Sequence, residues 1–133
     1  MAVLWSFRCY LSPDGTDEIR KAHDSEERQT RKKFHSRLKI LAALPFEEWH
    51  NGVLYRELHG ECFGLGEIKF KGDNVKQRPL GFRSSEYEFA ILFWAHERGN
   101  KWVPLKACQR ALERKAEVIA NKDRTNALWL ALE

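Results

Sequence analysis

The sequence predicts a single domain of mixed strand and helix, and three observations carry that prediction. Residues 64–115 hold three short strand-like runs followed by an amphipathic helix, the N-terminal segment alternates apolar and polar side chains, and a basic amphipathic helix lies between them. A chain of 133 residues with 43% hydrophobic and 12% aromatic content supplies one core of ordinary size.

Residues 2–11 read as the first strand, with Val3, Trp5 and Phe7 on one parity and Leu4 and Tyr10 on the other; Ser12-Pro-Asp-Gly15 ends it. A short helix is expected over residues 16–23. Asp24 followed by Glu27 has the spacing of a capping box for a longer one, in which Phe34, Leu38, Leu41 and Ala42 form the apolar stripe. Its basic run Arg31-Lys-Lys33 reads as a solvated helix face rather than a polyanion contact, and Pro45 stops the helix. Residues 46–63 have no clean period and are expected to be a short helix or a covering loop.

Gly64-Leu-Gly-Glu-Ile-Lys-Phe-Lys71 reads as one strand, with Ile68 and Phe70 on an inner face and Glu67, Lys69 and Lys71 on a wet, basic one. Gln77-Arg-Pro-Leu-Gly-Phe-Arg83 is the next strand, Ser84-Ser-Glu86 the turn, and residues 88–95 an apolar central strand. After the turn Glu97-Arg-Gly-Asn100, Pro104 is expected in the first turn of a helix whose stripe is Leu105, Cys108, Leu112, Ala116 and Ile119, with Lys106, Arg110, Glu113, Arg114 and Glu117 in solvent. Residues 121–133 are expected to dock on the core as a short helix through Leu128, Trp129, Leu130 and Leu132, contact with a partner chain being the alternative.

Composition and motifs exclude several classes of function. No apolar run reaches the length of a membrane span and no basic region precedes a long apolar one at the N-terminus, so a soluble, cytoplasmic protein is expected. Cys9, Cys62 and Cys108 are odd in number and far apart, and are expected to be reduced packing residues rather than a disulfide framework or zinc ligands. Gly60, Gly64 and Gly66 do not make a dinucleotide fingerprint, and His59-Gly-Glu61 lacks the downstream cysteine pair of a zinc deaminase. No local nucleophile signature is present. His96, after the apolar strand, reads as a satisfied strand-end histidine rather than an acid or base.

The remaining chemistry is positive charge. The net charge is +4, and Arg56, Lys69, Lys71, Arg78, Arg83, Arg98 and Lys101 fall on or around the expected sheet. Strand alternation puts Lys69 and Lys71 on one face, where arginines of the next strand can join them as a phosphate-binding surface. Ordinary solvent-facing charge explains the same pattern equally well.

With Leu65-Gly-Glu-Ile-Lys-Phe70, Gln77-Arg-Pro-Leu-Gly-Phe82, Phe89-Ala-Ile-Leu-Phe93 and Glu97-Arg-Gly-Asn-Lys-Trp-Val-Pro104 in this order, and Ala111-Leu-Glu-Arg114 after them, the chain resembles the phage-derived RelE/HigB-like branch of the RelE/HigB/ParE toxin superfamily over roughly residues 58–120. The resemblance implies one α+β domain, with two N-terminal helices and a C-terminal helix around a small, mainly antiparallel twisted sheet.

It also implies a cofactor-free, metal-independent endoribonuclease that cuts messenger RNA on the ribosome and is silenced by a cognate antitoxin, a neighbouring small helix-turn-helix protein being its expected companion. By position, Lys69, Arg78 and Arg98 match the family's catalytic cations, with Arg56, Lys71, Arg83 and Lys101 as RNA-binding residues around them. Two departures stand out: Gly81 sits where some members have a strand tyrosine, and Pro79 lies inside a strand. They motivate an alternative, a non-catalytic protein of the same fold that holds a protein partner, a ParE-like gyrase inhibitor included.

Overall fold

The computed structural model describes residues 2–133. It has α+β architecture: three α-helices pack on an eight-stranded mixed sheet. The strands are β1 (Ser6–Tyr10), β2 (Tyr55–Glu57), β3 (Gly66–Ile68), β4 (Phe70–Gly72), β5 (Val75–Ser85), β6 (Glu88–Arg98), β7 (Lys101–Val103) and β8 (Thr125–Ala127). The helices are α1 (Glu18–Asp24), α2 (Arg28–Ala42) and α3 (Ala107–Ala120).

Strand order is β2-β3-β5-β6-β1-β8, with β4 also pairing β5 and β7 also pairing β6. Every pair is antiparallel except β1 with β6, which puts the first strand beside the apolar central one in the register Phe7 to Phe89 and Cys9 to Ile91. A parallel neighbour requires a long crossover. The two N-terminal helices lie within that connection.

The alternation expected in the first strand holds: Trp5, Phe7 and Cys9 are buried. Helix α1 starts at Asp17, whose carboxylate accepts from the amides of Ile19 and Arg20. The capping box expected at Asp24 does not form. Asp24 instead accepts from His23, and α2 starts after Glu27 with no side-chain cap. Phe34, Leu38, Leu41 and Ala42 are all buried, joining Trp49, Phe70, Phe89 and Trp94 in the core on one side of the sheet.

Helix α3 covers the other side, on Leu65, Leu80, Phe93 and Ala95. Its buried stripe is Ala107, Cys108, Ala111 and Val118, about one position away from the expected one, so Leu105 and Ile119 face solvent. The shift follows from Lys101–Val103, which adds a strand to the β6 edge through the Gly99-Asn100 turn; both turn residues have positive φ, as a two-residue hairpin requires. The helix therefore begins three residues beyond Pro104. Arg114, expected in solvent, lies over the Tyr10 and Phe93 rings and donates to the Leu92 carbonyl.

Residues 46–63 contain a 3₁₀ turn, Phe46–Trp49, which buries Trp49, and the short strand β2. The C-terminal segment docks on the core as strand β8 along β1, not as a helix, and Leu128, Trp129, Leu130 and Leu132 pack against the helix-side core. Cys62 and Cys108 are not separate packing thiols: they form a disulfide, with Cα atoms 5.2 Å apart, that ties the 3₁₀ turn Gly60–Cys62 to the start of α3. Sequence spacing carries no signal for that pairing, because the two cysteines meet only when α3 lies back on the sheet. Cys9 alone is free, and it is buried.

A candidate phosphate-binding pocket at a broken strand

The strand expected over residues 64–71 is interrupted at Lys69. β3 pairs β5 at Gly81 and Leu80, β4 pairs it at Gln77 to Val75, and Arg78 and Pro79 lie opposite the gap. Proline has no amide hydrogen to donate, so a partner strand running past it loses a ladder bond. The Lys69 amide bonds instead to the Leu54 carbonyl, and its Nζ donates to the Gly52 carbonyl at 2.7 Å. Pro79 thus sits in an interior strand, at the one place where the ladder on that side is absent.

This break opens a pocket of about 300 Å³, lined by Arg37, Gly52, Val53, Lys69, Phe70, Lys71, Lys76 and Arg78. Five of those eight residues are cations. A second hollow of about 360 Å³ continues along α2 past Lys33, Ser36 and Arg37, sharing Phe70 and Lys71 with the first. Lys71 and Lys76 are exposed and stand opposite one another across β4 and β5. Arg37 is half-buried, its Nε is buried without a hydrogen-bond partner, and burial lowers the pKa of its guanidinium.

The pocket floor differs from the wet basic face that alternation predicts. Glu67 has no exposed surface and Arg78 is only 6% exposed. Together with Arg56 and Glu97 they make a ladder of alternating charge across four strands. Arg56 Nη2 lies 2.9 Å from Glu67 Oε1, and Arg78 Nε lies 3.7 Å from Glu67 Oε2 and 3.2 Å from Glu97 Oε1. Arg78 Nη1 also donates to the carbonyls of Gln77 and Phe70. Neither Glu67 oxygen accepts a well-formed hydrogen bond, and burial raises its pKa against the opposing pull of Arg56 and Arg78.

The seven cations singled out in the sequence therefore separate into three groups. Lys69, Lys71 and Arg78 meet at the pocket, with Arg56 behind Glu67. Arg98 and Lys101 pair at the tip of the β6–β7 hairpin, where alternation turns them to the face opposite Glu97 and Trp102. Arg83 lies over the rings of Trp5 and Phe46 and donates to the Glu86 carbonyl, so it belongs to the other side of the sheet. His96 bonds to Glu26 at 2.9 Å, away from the pocket.

Two pocket cations escaped sequence reasoning. Lys76 shares its strand parity with Arg78, which was a usable signal. Arg37 borders the α2 stripe three residues after Phe34 and was indistinguishable from a solvated helix residue. Gly81 cannot be a tyrosine here: a Cβ on it would stand 2.2 Å from the Ala90 carbonyl oxygen, at a register shift between β5 and β6. No helix of the described residues is long and apolar enough to cross a membrane. Comparison with family models, with curated proteins and with solved structures gives no match.

Proposed function

We propose that this chain is a cytoplasmic toxin of the RelE/HigB type, folded as one domain, that grips ribosome-bound messenger RNA by its phosphates and promotes its cleavage, and that a cognate antitoxin silences it. The observation that carries this reading is the concentration of Arg37, Lys69, Lys71, Lys76 and Arg78 around one open pocket. The element order supports it too: two helices after the first strand, an antiparallel run of strands, and a helix after that run.

In such a cleavage the ribose 2′-oxygen bonds to the adjacent phosphorus and the P–O5′ bond breaks; the 2′-hydroxyl loses a proton and the departing oxygen gains one. Lys71 and Lys76, which are exposed, and Lys69, which keeps two ammonium hydrogens beyond its bond to the Gly52 carbonyl, are the cations accessible to the charge that builds on the phosphate oxygens, and one such contact is worth roughly 3 kcal/mol. Arg78 is held by Glu67 and Glu97 and acts as the fixed positive floor. The pocket lining has no imidazole. The role assigned to the chain is therefore positioning and charge stabilisation.

The test is induced expression of wild type and Lys69→Ala/Lys71→Ala, with cellular mRNA ends mapped in both. Growth arrest with new mRNA ends in the wild type alone is the expected result; intact message with the wild type overturns the reading. The enclosure of Arg78 between two carboxylates favours the second reading, a non-catalytic binder of a protein partner. Arrest by both proteins without new mRNA ends moves the assignment there, and DNA damage in place of message cleavage moves it to the gyrase-directed version.

A further inference from the structure

The sheet face that carries Lys71, Lys76 and Arg78 continues beyond the pocket. Registers across four strands place Lys71 opposite Lys76, Lys76 opposite Glu97, and Glu97 opposite Trp102. Residues directly opposite one another share a face, so these four side chains form one row across the sheet. Its acid is already occupied, because Glu97 binds Arg78. The row therefore offers a ligand two free ammonium groups at one end and an indole at the other.

Trp102 is unlike the other four tryptophans. Trp5, Trp49 and Trp94 each pack against further aromatic rings, and Trp129 packs against His23 and lies under Arg20. Among the described residues, the half-buried Trp102 ring meets no ring and no cation, and its indole N–H has no acceptor. The ring packs against the α3-side core and remains partly exposed. Strands lie about 4.8 Å apart, so Trp102 and Lys76 are about 10 Å apart at the backbone. A lysine side chain and one nucleotide, from phosphate to base, bridge that gap.

We infer that Trp102 is a base-stacking platform, and that the RNA taken by this face is single-stranded. The inference rests on the phosphate-binding reading above and adds the residue that takes an unpaired base. An unpaired base has both π faces available to an indole, whereas bases inside a duplex are already stacked, leaving the protein only phosphates and 2′-hydroxyls to touch. The row thus joins charge, which is blind to strandedness, to a stacking surface that is not.

The experiment measures binding of the full chain to a short labelled oligouridylate and to a labelled RNA hairpin duplex, by fluorescence anisotropy at fixed salt. Trp102→Ala and Trp102→Leu are expected to weaken oligouridylate binding about tenfold, leaving duplex binding unchanged. Leucine preserves apolar packing, so a loss common to both variants does not come from unfolding; Trp102→Phe is expected to retain most of the affinity. Wild-type tryptophan emission should be quenched by the oligouridylate more than that of Trp102→Phe.

Equal loss on both RNAs, or loss on neither, overturns the stacking role. If Lys69→Ala/Lys71→Ala loses affinity while the Trp102 variants do not, only this inference fails. If none of the variants alters RNA binding, the reading of the pocket fails with it.

Discussion

Arg78 Nε stands between two carboxylates, 3.2 Å from Glu97 and 3.7 Å from Glu67, inside a sheet face that otherwise gathers unneutralised cations. This arrangement separates residues that hold the pocket from residues that face a ligand. Lys71 and Lys76 are exposed, and among the described residues neither has an ion-pair partner. Truncating Arg78 removes a structural cation, whereas truncating Lys71 removes an exposed one.

Arg78→Ala is accordingly expected to lower stability to urea by about 3 kcal/mol, since it removes one of the two cations facing the fully buried Glu67 carboxylate and the hydrogen bonds to the Phe70 and Gln77 carbonyls. Lys71→Ala is expected to change stability by less than about 0.5 kcal/mol. Equal midpoints for the two variants in urea denaturation would show that the buried ladder carries no structural load.

Glu67 gives the fold a pH dependence of definite sign. Burial raises its folded-state pKa above the ordinary 4.5, so the native state holds this proton more tightly than the unfolded chain does. The contribution is fully present below the ordinary value and is lost as pH rises through the folded-state value. Subtracting the stability profile of Glu67→Gln from that of wild type should leave a component that falls with rising pH above about 4.5. A flat difference, or one that climbs with pH, contradicts the assignment.

The Cys62–Cys108 bridge closes a loop with a sequence separation of 46. Cross-links of that span stabilise by up to about 4 kcal/mol through the unfolded chain. Cys62→Ser, or treatment with a thiol reductant, should lower the thermal midpoint and loosen the N-terminal end of α3. Iodoacetamide should leave the folded, oxidised protein unlabelled, because burial holds the Cys9 thiol well above its usual range. Labelling of two sites before any reductant is added would mean that the bridge is not formed.

Periodicity made much of the scaffold legible. Phe34, Leu38 and Leu41 on α2, the odd-numbered positions of β1, and the apolar run of β6 each carry a local repeat that packing satisfies. What was not legible depends on partners distant in sequence. Glu67 alternates correctly with Ile68, yet it is buried because β2 lies alongside and supplies Arg56. The split into β3 and β4 depends on where Pro79 falls in the register of β5, and the α3 stripe depends on the extra strand formed by residues 101–103. The pocket was half legible: Lys69, Lys71 and Arg78 stood out in strands, whereas Arg37 comes from a helix that meets them only in the folded chain.

The pairing of β1 with both β6 and β8 also governs when the molecule can be finished. Strand β1 has one neighbour more than 80 positions downstream and another more than 110 positions downstream. A nascent chain consequently carries an open strand edge, with the site for Trp129 beside Phe34 uncovered, until residues 125–129 have been made. Completion of the sheet waits for β8, and products that stop short of residue 125 should present that edge to chaperones and to one another.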